Sequence, residues 1–138
     1  QMMSASMQGA MAFQKGLGCV HSLSHSLGGL DPTLHHGMLN AVFLPAVIEF
    51  NESATTVRNE NKLARLAHAM DLADPASVGD AIAAMNRRLG LPTSLRNMGV
   101  SEASFPRIVE GALQDHSHKT NPRLADASDY ARMLSRAL

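Results

Sequence analysis

Four of the chain's seven histidines fall in one stretch, GLGCVHSLSHSLGGLDPTLHHG, running from Gly16 to Gly37. His21 and His25 are four apart, a spacing that puts both imidazoles on one face of a helix with Cβ atoms about 6 Å apart. His35 and His36 follow a turn that can bring one of them back toward that pair. Neutral imidazole is a common ligand of zinc, iron and nickel. The pattern is therefore that of a metal site built from His21 and a returning histidine. H-x-x-x-H also belongs to the zincin helix, but Ser22 stands where H-E-x-x-H places its general base, which argues against a metalloprotease. The ligand set is short, because a catalytic site takes about three protein ligands. Asp31 is a further donor by type, but Asp31-Pro32 marks a turn, where capping is its ordinary role. An i, i+4 histidine pair without an acidic partner also reads as two polar residues on a helix face.

Helices have to hold these imidazoles, and the composition favours them. The 138 residues suit one domain with a real core. Ala, Leu and Met are abundant, Met occurring nine times, and Trp is absent; such residues form helices and pack adaptably. Twelve basic residues balance twelve acidic ones, so no charge field points to nucleic acid or a membrane surface. No apolar run approaches the roughly 20 residues that span a bilayer. The single Cys19 rules out an internal disulfide framework and a Cys-based zinc finger, and fits a reducing, cytoplasmic setting. It reads as a small buried apolar residue rather than a nucleophile. The chain opens at Gln1 directly into helix-forming sequence, QMMSASMQGAMAFQKG, without a signal-peptide pattern. That opening leads us to expect a piece of something longer.

Along the chain, residues 2–14 have helical spacing, with Gly16 and Gly18 as interruptions. CVHSLSHSLGG follows, with Val20, Leu23 and Leu27 on one face and a glycine pair as stop signal. MLNAVFLPAVIEFN reads as a buried helix bent near Pro45. ESATTVRNENKLARLAHAM reads as one amphipathic helix behind cap-forming residues. DPASVGDAIAAMNRRLGL starts with Pro75 and ends at Gly90. PTSLRNMGV is a short helical turn, a further helix begins near Ser104, and HSHKTNPR is a polar loop. DASDYARMLSRAL closes the chain as an amphipathic helix from Asp126 or Ser128. No segment alternates like a strand, so the expectation is an all-α domain of six to eight helices over residues 1–138.

GLGCVHSLSHSLGG…HHGMLNAVFLPAVIEFN strongly resembles the C-terminal helical domain of the iron-containing (group III) alcohol dehydrogenases, relatives of lactaldehyde reductase and maleylacetate reductase. The hallmark there is G-x-x-H-x-x-x-H-x-x-G, a turn, H-G, and an apolar helix with L-P and F-N. LGLPTSLRNMGV and TNPR resemble two later motifs, in the same order. The resemblance implies the multi-helix domain of the dehydroquinate synthase-like fold, joined to an upstream dinucleotide-binding domain that carries the Gly-rich loop. It implies a divalent metal, iron(II) or alternatively zinc, held by one Asp and three His. Two of those histidines match His21 and His36; the other two ligands form an upstream D-x-x-x-H, which does not precede His21 here. Many members carry P-H-G with the two histidines fourteen apart. Here L-H-H-G makes the separation of His21 and His36 fifteen, so His35 is the competing ligand, and Gly37 with its following helix favours His36. His25 matches a histidine beside the metal and the nicotinamide, which implies proton relay or substrate positioning and contact with the cofactor. His68 reads as a surface residue, while His116 and His118 lie in a loop that can border the cleft.

The implied activity is NAD- or NADP-linked interconversion of small alcohols with aldehydes or ketones, by an enzyme that is a homo-oligomer when full length. The chain alone is expected to be inactive. Two alternatives stand beside this: a maleylacetate reductase-type oxidoreductase, and an independent all-α binding or scaffold module. The last predicts a polar exterior and imidazoles that do not converge. The Met-rich first helix is expected to pack in the core or against another domain.

Overall fold

A computed structural model describes residues 1–138 and contains no strand. Eight α-helices follow in order: α1 (Met2–Ala12), α2 (Gly18–Leu30), α3 (His36–Asn51), α4 (Thr55–Asn59), α5 (Lys62–Ala69), α6 (Val78–Arg88), α7 (Phe105–Gln114) and α8 (Ala127–Ala137). Short 3-10 turns connect several of them. The all-α expectation and the upper helix number are met.

α3 is the middle layer. One side, through Leu39, Val42, Phe43 and Ala46, joins the main core with Leu23 and Leu27 of α2 and Leu134 of α8. The other side, through Leu44 and Ile48, covers a smaller cluster of Ala67, Val78 and Ile82 from α5 and α6. A helix buried on both sides must be apolar all round, which is why this stretch shows no clean stripe. Pro45 lies inside α3, which nevertheless runs on without a break. Proline has no N–H, so the carbonyl four residues back loses its helical partner. That carbonyl, of Ala41, accepts instead from Asn86 Nδ2 on α6 at 2.8 Å. Asn86 is itself buried, so one polar side chain closes the gap and fixes α6 against α3.

α2 carries two of the histidines and has Leu17 at its N-cap, a residue that cannot cap. Its first amides are satisfied from the far end of the chain. Leu17 and Gly18 N–H donate to Thr120 Oγ1 at 3.2 and 3.3 Å, and Cys19 N–H donates to Asn121 Oδ1 at 3.1 Å. The approach requires glycine: Gly16 and Gly18 have φ of 103° and 67°, and a Cβ on Gly16 would overlap the Thr120 side chain. HSHKTNPR is thus not a free polar loop. His116–Thr120 form a 3-10 turn in which Ser117 and His118 are buried, and the segment as a whole caps α2. On its other side α2 lies close to α7, where Ser26 Oγ donates to the Ile108 carbonyl at 2.9 Å and Gly111 leaves room for Ser26.

Two further expectations are corrected, one of them in part. The stretch from Glu52 to Met70 is two helices, broken at Asn61, whose φ of 49° is left-handed. The interruption expected at Gly16 and Gly18 does separate α1 from α2, with Gly18 the first residue of α2. Of the two places expected for α1, the core is excluded, since Met2, Met3, Met7, Met11 and Phe13 are all exposed, an apolar face suited to the other, packing against another domain. α8 begins as expected after Asp126, in a reciprocal capping box with Asp129.

Candidate metal centre

His21 lies in the first turn of α2 and His25 one turn later, their ring centroids 5.5 Å apart. The turn back to α3 is shaped by Asp31, whose Oδ1 accepts from the Thr33 N–H at 3.0 Å and the Thr33 hydroxyl at 2.6 Å. This is the turn role expected of it, not a ligand role. α3 then starts at His36, whose ring centroid is 5.3 Å from those of both His21 and His25. His35 is the exposed residue before the helix, and its ring lies against Gly37. The structure therefore brings together His21, His25 and His36 and leaves His35 outside.

One residue that the sequence reading missed ties them. Asn40, one helical turn after His36, places Nδ2 3.4 Å from His21 Nε2 and 3.0 Å from His36 Nε2. Both ring nitrogens thus face a single point and can accept there. His21 Nδ1 and Asn40 Oδ1 are buried with no hydrogen-bond partner, which is unusual for buried polar atoms. Two converging imidazole acceptors beside two orphaned polar atoms fit a divalent transition-metal ion. Burial first, and then the neighbouring His36 and His25, hold the pKa of His21 below its ordinary value; burial, then His25 and His35, do the same for His36. Both are thereby kept in the neutral form that binds metal.

His25 has a different partner. Its Nδ1 is 3.0 Å from Oδ2 of Asp115, which follows α7 and is separated from it by 90 residues of chain. Burial pushes the Asp115 carboxyl up, but hydrogen bonds from the Ser117 N–H, His25 and the Ser117 side chain together outweigh it and hold its pKa below the usual range. The carboxylate accepts, so His25 Nδ1–H donates and Nε2 is left free. Nothing local in the sequence marks Asp115 for this. His116 also stacks on His25, centroids 5.8 Å apart. His118 is buried and its Nδ1 pairs with the Tyr130 hydroxyl at 3.0 Å, so it takes no part in the site. His68 is exposed on α5, as expected. Phe13 sets its ring edge toward His21 at 6.0 Å between centroids. A scaffold module with unrelated imidazoles would show none of this convergence, nor the exposed apolar face of α1.

Comparisons with known proteins identify the chain's family. The family model described as "Fe-containing alcohol dehydrogenase family, C-terminal" matches residues 1–138. The 4-hydroxybutyrate dehydrogenase of Cupriavidus necator is 60% identical over 141 residues, covering 99% of this chain and 37% of that protein. The 1,3-propanediol dehydrogenase of Citrobacter freundii is 37% identical, covering 96% of this chain and 35% of that protein. Among solved structures, an alcohol dehydrogenase from Oenococcus oeni superposes with a TM-score of 0.88 at 28% identity, over 99% of this chain and 37% of that one. The chain thus spans little more than a third of the length of these relatives. This chain belongs to the Fe-containing alcohol dehydrogenase family, whose C-terminal part it matches from end to end.

Proposed function

We propose that the chain is the helical, metal-holding part of an NAD(P)-linked alcohol dehydrogenase that interconverts small alcohols with aldehydes or ketones. The observation that carries this reading is the convergence of His21 Nε2 and His36 Nε2 on one amide nitrogen of Asn40, beside two orphaned polar atoms. His21 and His36 would hold the metal, iron(II) or alternatively zinc, with the remaining ligands coming from outside this chain. When bound, the metal supplies Lewis acidity to the alcohol or carbonyl oxygen. The nicotinamide, NAD or NADP, supplies the hydride acceptor or donor and is bound by a separate dinucleotide-binding domain.

The chain's own residues contribute position and a proton. Asp115 fixes His25 with Nδ1 protonated, so Nε2 takes the hydroxyl proton in oxidation and returns it in reduction. The stacking of both His36 and His116 against that ring limits its rotation. Thr120 and Asn121 hold the helix end from which His21 projects.

The test is an exchange. The C-terminal third of the Cupriavidus necator relative is replaced by this chain, and 4-hydroxybutyrate oxidation is followed by NADH absorbance. The hybrid is expected to turn over. His21→Ala and His36→Ala in it abolish metal retention, while His25→Ala keeps the metal and lowers kcat by about 10²–10⁴-fold. A folded, metal-loaded hybrid without activity refutes the reading, as does full activity in the His21→Ala hybrid. The chain alone is expected to show no NAD(P)H turnover.

A further inference from the structure

The three donors His25, Asp115 and His116 form a second constellation beside the His21–His36 pair. Asp115 Oδ2 lies 3.0 Å from His25 Nδ1 and 3.8 Å from His116 Nδ1, and one donor atom from each of the three lies within 4.8 Å of the others. Two ligands of one tetrahedral zinc ion, each about 2.0–2.1 Å from the metal, are roughly 3.3 Å apart. The two carboxylate–imidazole separations lie on either side of that value, and the two imidazole donors, within 4.8 Å of each other, close on the ion as it binds. Asp115 keeps Oδ1 on the Ser117 N–H at 2.8 Å, which holds the carboxylate in place whatever Oδ2 does.

We propose that His25 Nδ1, Asp115 Oδ2 and His116 Nδ1 form a second divalent-cation site, for a borderline ion such as zinc, with water as the fourth ligand. Two imidazoles and one carboxylate suit zinc and disfavour the hard ions magnesium and calcium. Binding needs the His25 Nδ1 lone pair. The proton now donated to Asp115 leaves Nδ1, and an equivalent proton is taken up at Nε2, so the ring changes tautomer without changing charge. The ion would join α2 to the segment after α7. That link ties together residues 90 apart and adds stability by mass action, since the unfolded chain holds no such site. This site does not depend on the dehydrogenase reading, because all three donors lie within this chain.

The test uses the 138-residue chain and zinc sulfate alone. Melting temperature is recorded against zinc concentration, with affinity measured by chelator competition and tetrahedral geometry by cobalt(II) absorption. The wild-type chain is expected to melt higher with zinc. His116→Ala removes an exposed side chain, so it folds as before. It is expected to lose the zinc-dependent shift and to weaken binding by at least the roughly 10- to 100-fold that even the loss of a supporting group costs such sites. The His21→Ala/His36→Ala double variant is expected to keep both the shift and the cobalt spectrum. Wild-type affinity in His116→Ala overturns the proposal. So does loss of the shift in the double variant, which would assign the ion to the His21–His36 pair. No zinc effect on the wild-type chain overturns it as well.

Discussion

Asn121→Ala should destabilise the chain more than most substitutions at a half-buried loop position. Asn121 Oδ1 accepts from the Cys19 N–H at 3.1 Å and from Asn51 Nδ2 at 3.3 Å. Its Nδ2 donates to Asn51 Oδ1 and to the Arg123 carbonyl, both at 2.7 Å. A hydrogen bond contributes about 1 kcal/mol net, and a buried group left without a partner costs about 1–3 kcal/mol. Water can reach the Arg123 and Asn51 groups, so those losses stay near the lower figure. It cannot reach the amide of Cys19, a fully buried residue. Three bonds at about 1 kcal/mol each and the Cys19 amide at about 1–3 kcal/mol sum to about 4–6 kcal/mol. In a domain of this size each kcal/mol moves the midpoint by about 3–4 °C, which places the drop at about 12–24 °C. Thermal and urea melts followed by circular dichroism measure it. Asn121→Asp supplies the internal control: it keeps the acceptor at Cys19, adds negative charge where a helix N-terminus favours it, and loses only the donor side. Its loss should be smaller than that of the alanine variant. An alanine variant within about 1 kcal/mol of wild type would refute the idea that this segment caps α2, because that cap is assigned to Thr120 and Asn121 alone.

Asn86→Ala should cost about 1–3 kcal/mol by stranding the Ala41 carbonyl. The cost should shrink in a Pro45→Ala background, where a new N–H can reach that carbonyl; a double-mutant cycle in urea measures the coupling, and strictly additive effects would contradict the account. Burial pushes the Cys19 thiol up to about 11, so iodoacetamide at pH 8 should leave the native chain unmodified and alkylate it fully in denaturant, as intact mass will report. The Asp126 carboxyl is held below its ordinary value, first by the Ser128 hydroxyl and then by the Asp129 N–H. A depressed folded pKa adds stability above the unfolded value, near 4, that is lost as pH falls through the folded value. Asp126→Asn keeps a cap but cannot titrate, so its stability should fall less steeply than wild type below about pH 4.

What was legible in the sequence and what was not divides by distance along the chain. The turn at Asp31, the cap at Asp126 and the stop at Gly90 work through neighbours a few residues away, so residue type and offset announce them. The His21–His25 pair is one helical turn, and His36 joins it across a single short connection. Asn40 could have been found by the same reasoning, since it stands four residues after His36 on the same helix face. The break at Asn61 was hidden for a different reason. The apolar pattern runs through it, and asparagine accepts a left-handed φ without glycine's signature.

The contacts that decide how well the histidines are held have no such local signature. Thr120 and Asn121 meet α2 across 102 or 103 residues, Asp115 meets His25 across 90, and Asn86 meets Ala41 across 45. Each of these answers a local deficit that can be read: a helix start with Leu17 at its cap, a histidine pair without an acid, a proline inside an apolar helix. A buried backbone group without a partner is a debt that some residue must settle, but the sequence states only that the partner exists. The fold names it, and in two of these three cases the partner lies within a single segment, Asp115 to Asn121. That segment therefore governs both the start of α2 and the tautomer of His25. Substitutions there should alter the histidine cluster even though only Asp115 and His116 touch it.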